Sequence, residues 1–177
     1  MKSDLSNKNK IKSFNSLLKK IKRNPEEGLR EFHVRYSKKI TAVAFSICKN
    51  QNDADEVLQN VLIKIWNFAK DPKSVDNPDG WIYSITLNTA RDMIKQSPFV
   101  ELNERTPVFE EGFDKIEGEL HFYRLIEGLS EEEKQIVLLK FVWACTFTEI
   151  AQYLKKPIST VTNVYYRALQ KIEEKLR

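Results

Sequence analysis

Small polar and cationic side chains lie close together near the C-terminal end of the chain. The small polar residues are Ser159, Thr160, Thr162 and Asn163, and the cations are Lys155, Lys156, Arg167 and Lys171. Hydroxyl and amide groups hydrogen-bond to base edges in the major groove, whereas Lys and Arg contact phosphates. The combination therefore predicts binding to duplex DNA. The same pattern also fits a plain helical hairpin with a solvated polar face.

A second group combines aromatic and basic residues within positions 70–96. The aromatic residues are Trp81 and Tyr83, and the basic ones are Lys70, Lys73, Arg91 and Lys95. Unpaired bases stack on aromatic rings while cations bind the phosphates, so this group suits single-stranded DNA. The alternative is that Trp81, Ile82 and Ile85 belong to a helical core and the charges are solvated.

A third group is acidic and polar, and it stands at the start of an amphipathic segment. Its members are Asp53, Asp55, Glu56 and Gln59. Carboxylates near a helix N-terminus stabilise the helix by about 0.3–1 kcal/mol each, which is one sufficient explanation. The other explanation is a surface that binds a basic partner.

None of the residue patterns predicts catalysis or a bound cofactor. The sequence contains no glycine-rich phosphate loop, no GxSxG and no HExxH. Cys48, Cys145, His33 and His121 are widely separated, so we expect no metal site and interpret the two cysteines as buried thiols within helical patterns. We therefore predict a non-enzyme without cofactors.

The elements that carry these groups are predicted to be helices, because apolar residues recur at steps of three and four. The successive stripes are Leu17, Leu18, Ile21; then Leu29, Phe32, Tyr36, Ile40, Val43, Ala44, Ile47; then Val57, Leu58, Val61, Leu62, Ile65, Trp66. We expect Asn52 or Asp53 to cap the third helix. The segment KDPKSVDNPDG is predicted to be a loop, and the helix after it runs from Trp81 until Ser97-Pro98 stops it.

The C-terminal segment predicts a helix-turn-helix motif. Ser130 and Glu133 form a capping box before an apolar run. A short helix from about Thr148 to Leu154, a turn at KKPI and a long final helix follow. The apolar positions expected to pack the two helices together are Ile150, Ala151, Leu154, Ile158, Val161 and Tyr165.

Composition and charge suggest two helical domains in the 177-residue chain. Residues 1–98 form the first, 99–118 a flexible acidic linker, and 119–177 the second. Residues 1–99 carry a net charge of +7, residues 100–127 of −5 and residues 128–177 of +2. Because there is no long apolar run and no signal peptide, we expect a cytoplasmic protein without membrane insertion.

The order of these segments resembles the extracytoplasmic-function group of bacterial sigma factors. The segment from Phe32 to Trp66, with its DADEV and Gln59, is similar to region two of that family. In PDGWIYSITLNTARDMIK, the matching positions are Trp81, Ile85, Asn88 and Asp92. In the C-terminal segment, EIA, Leu154, Thr160, Val161, Arg167 and Ala168 are similar to region four.

The resemblance implies a promoter-specificity subunit of RNA polymerase. It assigns binding of core polymerase to Asp55, Glu56, Gln59 and Ile63. It assigns the minus-ten element to the loop 70–79 and the helix 81–95, through Lys70, Lys73, Trp81, Asn88, Arg91 and Lys95. It assigns the minus-thirty-five element to Lys155, Lys156, Ser159, Thr160, Thr162, Asn163, Arg167 and Lys171. An anti-sigma factor is a further expected partner, besides core RNA polymerase and promoter DNA.

The chain also departs from the family pattern. Asn60 stands where an acid is common, and Pro157 stands where a capping Ser is common. Thr162, Asn163 and Val164 replace a Lys-Ser-Arg sequence, so two cations are missing. Fewer phosphate contacts predict weaker duplex binding. Two alternatives therefore remain: a free-standing helix-turn-helix regulator, and a degenerate sigma-like interaction protein.

Overall fold

The computed structural model describes residues 2–96 and 117–176, with side chains described for residues 7–95 and 122–176. The chain divides into two compact units, Met1–Thr106 and Pro107–Arg177. The described residues form helices and no strand, which confirms the predicted all-α class. The Ser-Pro stop at 97–98 and nearly all of the expected linker 99–118 lie outside the described residues.

The first unit contains four helices: α1 (Lys2–Arg23), α2 (Pro25–Cys48), α3 (Gln51–Lys70) and α4 (Pro78–Gln96). Each helix contributes a stripe of buried apolar side chains to one core. Fully buried members are Phe14, Ile21, Phe32, Ile40, Val43, Val57, Val61, Ile65, Ile82 and Ala90. The periodicity in the sequence correctly located most of these positions, because burial follows one face of each helix.

The connection between α1 and α2 is a single residue, Asn24, and the two helices approach closely beyond it. The Asn24 side chain caps α2 by accepting a hydrogen bond from the backbone N–H of Glu27, and Pro25 opens the helix. A Cβ atom on Gly28 would stand 2.6 Å from both Cα and N of Ile21. Only glycine therefore fits at this helix–helix contact.

The cap of α3 differs from the prediction. Asn50, rather than Asn52 or Asp53, adopts an extended conformation, and its Oδ1 accepts a hydrogen bond from the Asp53 N–H at 2.8 Å. Asp53 occupies the third helical position, which explains the error: its carboxylate lies in the first turn but does not cap it. Lys49 ends α2 in a left-handed conformation with φ 63°.

The second unit contains α5 (Glu117–Ile126), α6 (Glu131–Val137), a π-helical turn (Leu138–Val142), α7 (Phe147–Leu154) and α8 (Ile158–Leu176). Its buried side chains include Ile126, Ile136, Leu139, Trp143, Ile150, Val161 and Ala168. The predicted capping box at Ser130 and Glu133 is confirmed. Cys145 is a buried thiol like Cys48, but it lies in the connection before α7 rather than in a helix.

Within residues 2–96 and 117–176, none of the helices combines the length and the apolar character that crossing a lipid bilayer requires.

Candidate nucleic-acid interface

The outer side of α3 carries the residues that the resemblance assigns to polymerase. Asp55, Glu56, Gln59 and Ile63 are all exposed, with Ile63 53% exposed. They face away from the buried stripe because they fall between Ala54, Val57, Val61 and Ile65 in the helical repeat. The Asp55 carboxylate accepts a hydrogen bond from the Gln51 amide at 2.6 Å, and both groups remain at the surface.

Trp66 extends this outer surface of α3, contrary to its predicted place in the core. Its side chain is 41% exposed, one turn beyond Ile63. The Lys70 ammonium lies 4.1 Å from the centre of the Trp66 ring and also donates to Asn67 at 2.8 Å. The helix α3 buries only every third or fourth residue, and Trp66 lies at the edge of this apolar stripe. The sequence pattern therefore assigned Trp66 to the core wrongly. Leu58 and Leu62, at the same edge, are half-buried.

The loop before α4 is shorter than predicted. It spans residues 71–77, because α4 begins at Pro78 and includes the Asp79-Gly80 that the sequence suggested were in the loop. The Asn77 side chain caps the helix by accepting a hydrogen bond from the Gly80 N–H at 3.0 Å. Lys73 is exposed in the loop, whereas Lys70 is the last residue of α3.

Trp81 is held between two aromatic rings in the first unit. The ring of Phe68 lies 4.5 Å away and that of Phe14 lies 5.9 Å away, measured between centroids. Trp81 and Ile85 are half-buried, while Ile82 is fully buried. The aromatic ring thus has a packed side, as the core interpretation predicts, and an accessible side. Binding of single-stranded DNA by this segment stays a prediction.

The outer side of α4 presents polar and basic groups in one row. Asn88, Arg91 and Lys95 are exposed, and at 100° per residue they share a side of the helix with Trp81. We call these four residues the α4 row. The opposite side is fixed to α3, where the Lys64 ammonium donates to the Thr89 hydroxyl at 2.7 Å.

The second unit contains the predicted helix-turn-helix. The first helix, α7, begins at Phe147, because a capping box of Thr146 and Glu149 fixes its N-terminus. Lys155 ends it in the left-handed conformation with φ 54°, and the Lys156 N–H returns to the Ala151 carbonyl at 3.0 Å.

The start of α8 carries the small polar residues. Ser159, Thr160 and Asn163 are exposed, whereas the Thr162 hydroxyl donates to the Ile158 carbonyl at 2.8 Å within the helix. Ile158 is 49% exposed rather than packed against α7: it is the first residue of α8, one turn before the buried Val161. Ser159, Thr160 and Asn163 are therefore the side chains most available to contact base edges.

Most cations of this motif are paired with carboxylates at the start of α6. The Lys156 ammonium binds Glu132. The Arg167 Nε lies 3.2 Å from Glu133 Oε1, and the Lys171 Nζ lies 2.9 Å from the same oxygen. The fourth cation predicted to bind DNA here, Lys155, is exposed at the turn.

Glu133 is the buried centre of this arrangement, with 1% of its surface exposed. Burial by itself raises the pKa of the carboxyl group. Hydrogen bonds from Lys171 and Ser130 outweigh that effect and lower the pKa from 4.5 to about 2. The group is ionised at neutral pH, and it joins the capping of α6 to the middle of α8.

Two segments of the chain match known protein-family models. Residues 32–97 match Sigma-70 region 2, and residues 120–172 match Sigma-70, region 4. The chain is 25% identical over 130 residues to the RNA polymerase sigma factor SigV of Bacillus subtilis, which covers 72% of this chain and 78% of the relative. It is 21% identical to the ECF RNA polymerase sigma-E factor of Escherichia coli, covering 91% of this chain and 93% of the relative.

The chain belongs to the extracytoplasmic-function group of RNA polymerase sigma factors.

Solved structures agree on the fold of the sigma factor. CnrH, solved in complex with the cytosolic domain of CnrY, has a TM-score of 0.67 at 18% identity and covers 92% of this chain and 96% of its own. The sigma factor RpoE of Bartonella quintana, solved with the anti-sigma factor NepR, has a TM-score of 0.62 at 16% identity. That match covers 83% of this chain and 95% of RpoE.

Four residues at or near these surfaces have contacts or an exposure that the sequence analysis did not predict. Trp66 was placed in the core, although its edge position in the apolar stripe was a usable signal. Phe14 and Glu133 contact Trp81 and Lys171 across long stretches of sequence, so no local pattern could have revealed these pairs. Glu149 was detectable, because Thr146 and Glu149 have the capping-box spacing.

Proposed function

We propose that this sigma factor directs core RNA polymerase to specific promoters and assists promoter melting. The observation that carries the proposal is that one chain contains both sigma regions in order. Each region also presents polar or basic side chains outward from a rigid helix: the α4 row in the first unit, and Ser159, Thr160 and Asn163 in the second.

We assign the outer side of α3 to core polymerase. Asp55, Glu56, Gln59 and Ile63 are the predicted contacts, and the exposed Trp66 extends them. An exposed Ile beside an exposed Trp supports a protein partner, because apolar and aromatic residues are enriched at the centres of protein interfaces.

We assign the α4 row, with Lys70 and Lys73, to the minus-ten element. The accessible side of Trp81 provides a stacking surface for an unpaired base, and Arg91 and Lys95 are placed to bind phosphates. Phe14 and Phe68 fix the ring, so little conformational entropy is lost when a base stacks on it. Flipping a base from the duplex requires a few kcal/mol, which stacking and polar contacts must offset.

We assign the start of α8 and the turn before it to the minus-thirty-five element. Ser159, Thr160 and Asn163 suit base edges, while Lys155 suits a phosphate. Lys156, Arg167 and Lys171 keep partial exposure but already have carboxylate partners. Phosphate binding by these three cations competes with their ion pairs to Glu132 and Glu133 of α6. This competition favours weak duplex binding by the free chain, with polymerase supplying much of the affinity for DNA.

Partners and location follow from the same proposal. The two structural relatives were solved with another protein bound, an anti-sigma factor in the case of RpoE, and we infer that an anti-sigma factor also binds this chain. The chain then acts as a non-enzymatic binding subunit in the cytoplasm, where polymerase and promoter DNA are found.

The test is selection of DNA fragments by the chain with purified core polymerase, compared with each component alone. We expect sequence-selective retention only when both are present. Replacing Asn88 and Arg91 with Ala should abolish the selectivity. Replacing Arg30 and His33, exposed residues on α2, with Ala should preserve it.

The rival functions give different results in this experiment. Selective retention by the chain without polymerase would identify a free-standing regulator. Tight polymerase binding without any selectivity would identify a sigma-like interaction protein. The latter has one supporting observation, the pairing of Lys156, Arg167 and Lys171 with acids of α6.

A further inference from the structure

The positive charge of the first unit is concentrated in its first helix. Residues 1–23 contain eight Lys and Arg and one Asp, whereas residues 24–96 contain ten basic and ten acidic residues. The net charge of +7 in residues 1–96 therefore comes entirely from α1. This helix precedes residue 32, where the match to region 2 begins.

The cations of α1 whose side chains the structure describes form two groups with different surroundings. The inner cations are paired: Lys10 lies 3.3 Å from Asp79, and Lys20 lies 2.7 Å from Glu27 and 3.0 Å from Glu31. The outer cations are exposed, and none of them pairs with a carboxylate among the side chains that the structure describes. They are Lys8, Lys12, Lys19, Lys22 and Arg23.

The outer cations lie in one row along the helix, which we call the α1 stripe. Their spacing places them within about a third of the helix circumference, at 100° per residue. Lys8 and Arg23 are separated by about 22 Å along the axis, at 1.5 Å per residue. Asn15 and Ser16 lie between the cations, and both can donate hydrogen bonds to phosphate oxygens.

A lipid surface fits this helix poorly. Interfacial helices bury an apolar face in the lipid while basic residues face the headgroups. The apolar face of α1 is already used inside the protein, since Phe14, Leu17, Leu18 and Ile21 are each at most 2% exposed. Only the basic side remains available, which favours a partner recognised by charge alone.

We propose that the α1 stripe binds the phosphates of duplex DNA, in a sequence-independent manner. Duplex DNA carries one negative charge per about 1.7 Å, so a 22 Å row of cations spans many phosphates. Four of the five cations are Lys, a flexible point charge that contributes affinity rather than base selection. The identity of the polyanion rests on the proposed function, since a sigma factor works on promoter DNA.

The experiment measures binding of the full-length chain to a mixed-sequence 40-bp duplex by fluorescence anisotropy over a KCl series. The test variant replaces Lys8, Lys12, Lys19 and Lys22 with Gln, which has a similar helix propensity. The control variant replaces the same four residues with Arg, which keeps the charge. Circular dichroism confirms equal helix content in the three proteins.

We expect the Gln variant to bind more weakly by at least tenfold at low salt, with a salt slope shallower by about 3–4. The Arg variant should match the wild type. Equal affinity and slope for the Gln variant, or no measurable duplex binding by the wild type, would overturn the inference. The inference would also be overturned if the Gln variant lost only its binding to core polymerase or to phosphatidylserine vesicles. The stripe would then bind a protein or a membrane.

Failure of the proposed function would be seen separately. The anisotropy measurement contains neither polymerase nor a promoter, so it reports only on the α1 stripe. A wild-type chain that binds duplex through the stripe but supports no promoter-selective transcription would contradict the proposed function alone. Promoter-selective transcription by the wild type, together with unchanged duplex binding by the Gln variant, would contradict only this inference.

Discussion

The ammonium group of Lys171 lies 2.9 and 3.0 Å from the two carboxylate oxygens of Glu133. Because Glu133 is buried and also accepts a hydrogen bond from the Ser130 N–H, it joins the start of α6 to the middle of α8. One side chain therefore caps a helix, orients the C-terminal helix and occupies cations that would otherwise be available to phosphates.

Replacing Glu133 with Gln should destabilise the second unit by about 1–3 kcal/mol. Gln can still cap α6, but its neutral amide cannot pair with Lys171 and Arg167 in a buried site. Trp143 fluorescence during urea unfolding, with Trp66 and Trp81 replaced by Phe, measures this unit alone. Replacing the more exposed Glu132 with Gln is the control, with an expected change below about 1 kcal/mol. Equal effects would contradict a special role for Glu133.

The second unit should also lose stability at acidic pH through Glu133. Its pKa is lowered from 4.5 to about 2, so its contribution is complete above about pH 4.5 and is lost as the pH falls towards 2. Urea unfolding at pH 5, 4 and 3 should show a steeper loss for the wild type than for Glu133→Gln. Parallel curves would show that other carboxylates cause the acid sensitivity.

Replacing Gly28 with Ala should destabilise the first unit by about 1–3 kcal/mol. The added methyl group would overlap backbone atoms of Ile21, and α1 and α2 must separate to accept it. Gly128→Ala is the matched control, because the atoms it meets belong to the flexible end of Lys175. The prediction fails if thermal unfolding shows the same midpoint change for both variants.

Replacing Asn163 with Ala should change the preferred minus-thirty-five sequence, whereas Thr162→Val should leave it unchanged. The Asn163 amide is exposed, but the Thr162 hydroxyl is already bonded to Ile158 within α8. A lost base contact costs about 1–3 kcal/mol of discrimination at the affected base pair. Sequencing the promoters selected with each variant measures it, and a shift caused by Thr162→Val would place the reading side chains elsewhere.

The helices and the helix-turn-helix were predictable because burial and capping follow local rules. The stripes in α2 and α3 and the capping box of Ser130 and Glu133 are visible in short windows of sequence. The first residue of α3 could not be predicted in the same way, because Asn50 and Asn52 are equally good caps by residue type. The choice between them depends on the backbone path after Lys49.

The pairs that complete the candidate site could not be predicted, because they join distant parts of the chain. Phe14 contacts Trp81 only after α1 packs on the first unit, and Glu133 meets Lys171 only after α6 packs on α8. The types of side chain predicted which residues bind DNA, and that assignment stays a prediction. Which cations remain available depends on tertiary pairing, as Arg167 shows.

Promoter selection by this chain is tested by run-off transcription with core RNA polymerase from a pooled library of promoter fragments, with and without the chain. We expect a set of transcripts that requires the chain and shares two upstream sequence elements. The set should disappear when Asn88 and Arg91 are replaced with Ala, while polymerase binding is retained. Transcripts independent of the chain, or no selective transcripts despite tight polymerase binding, would contradict a role for this chain in promoter selection.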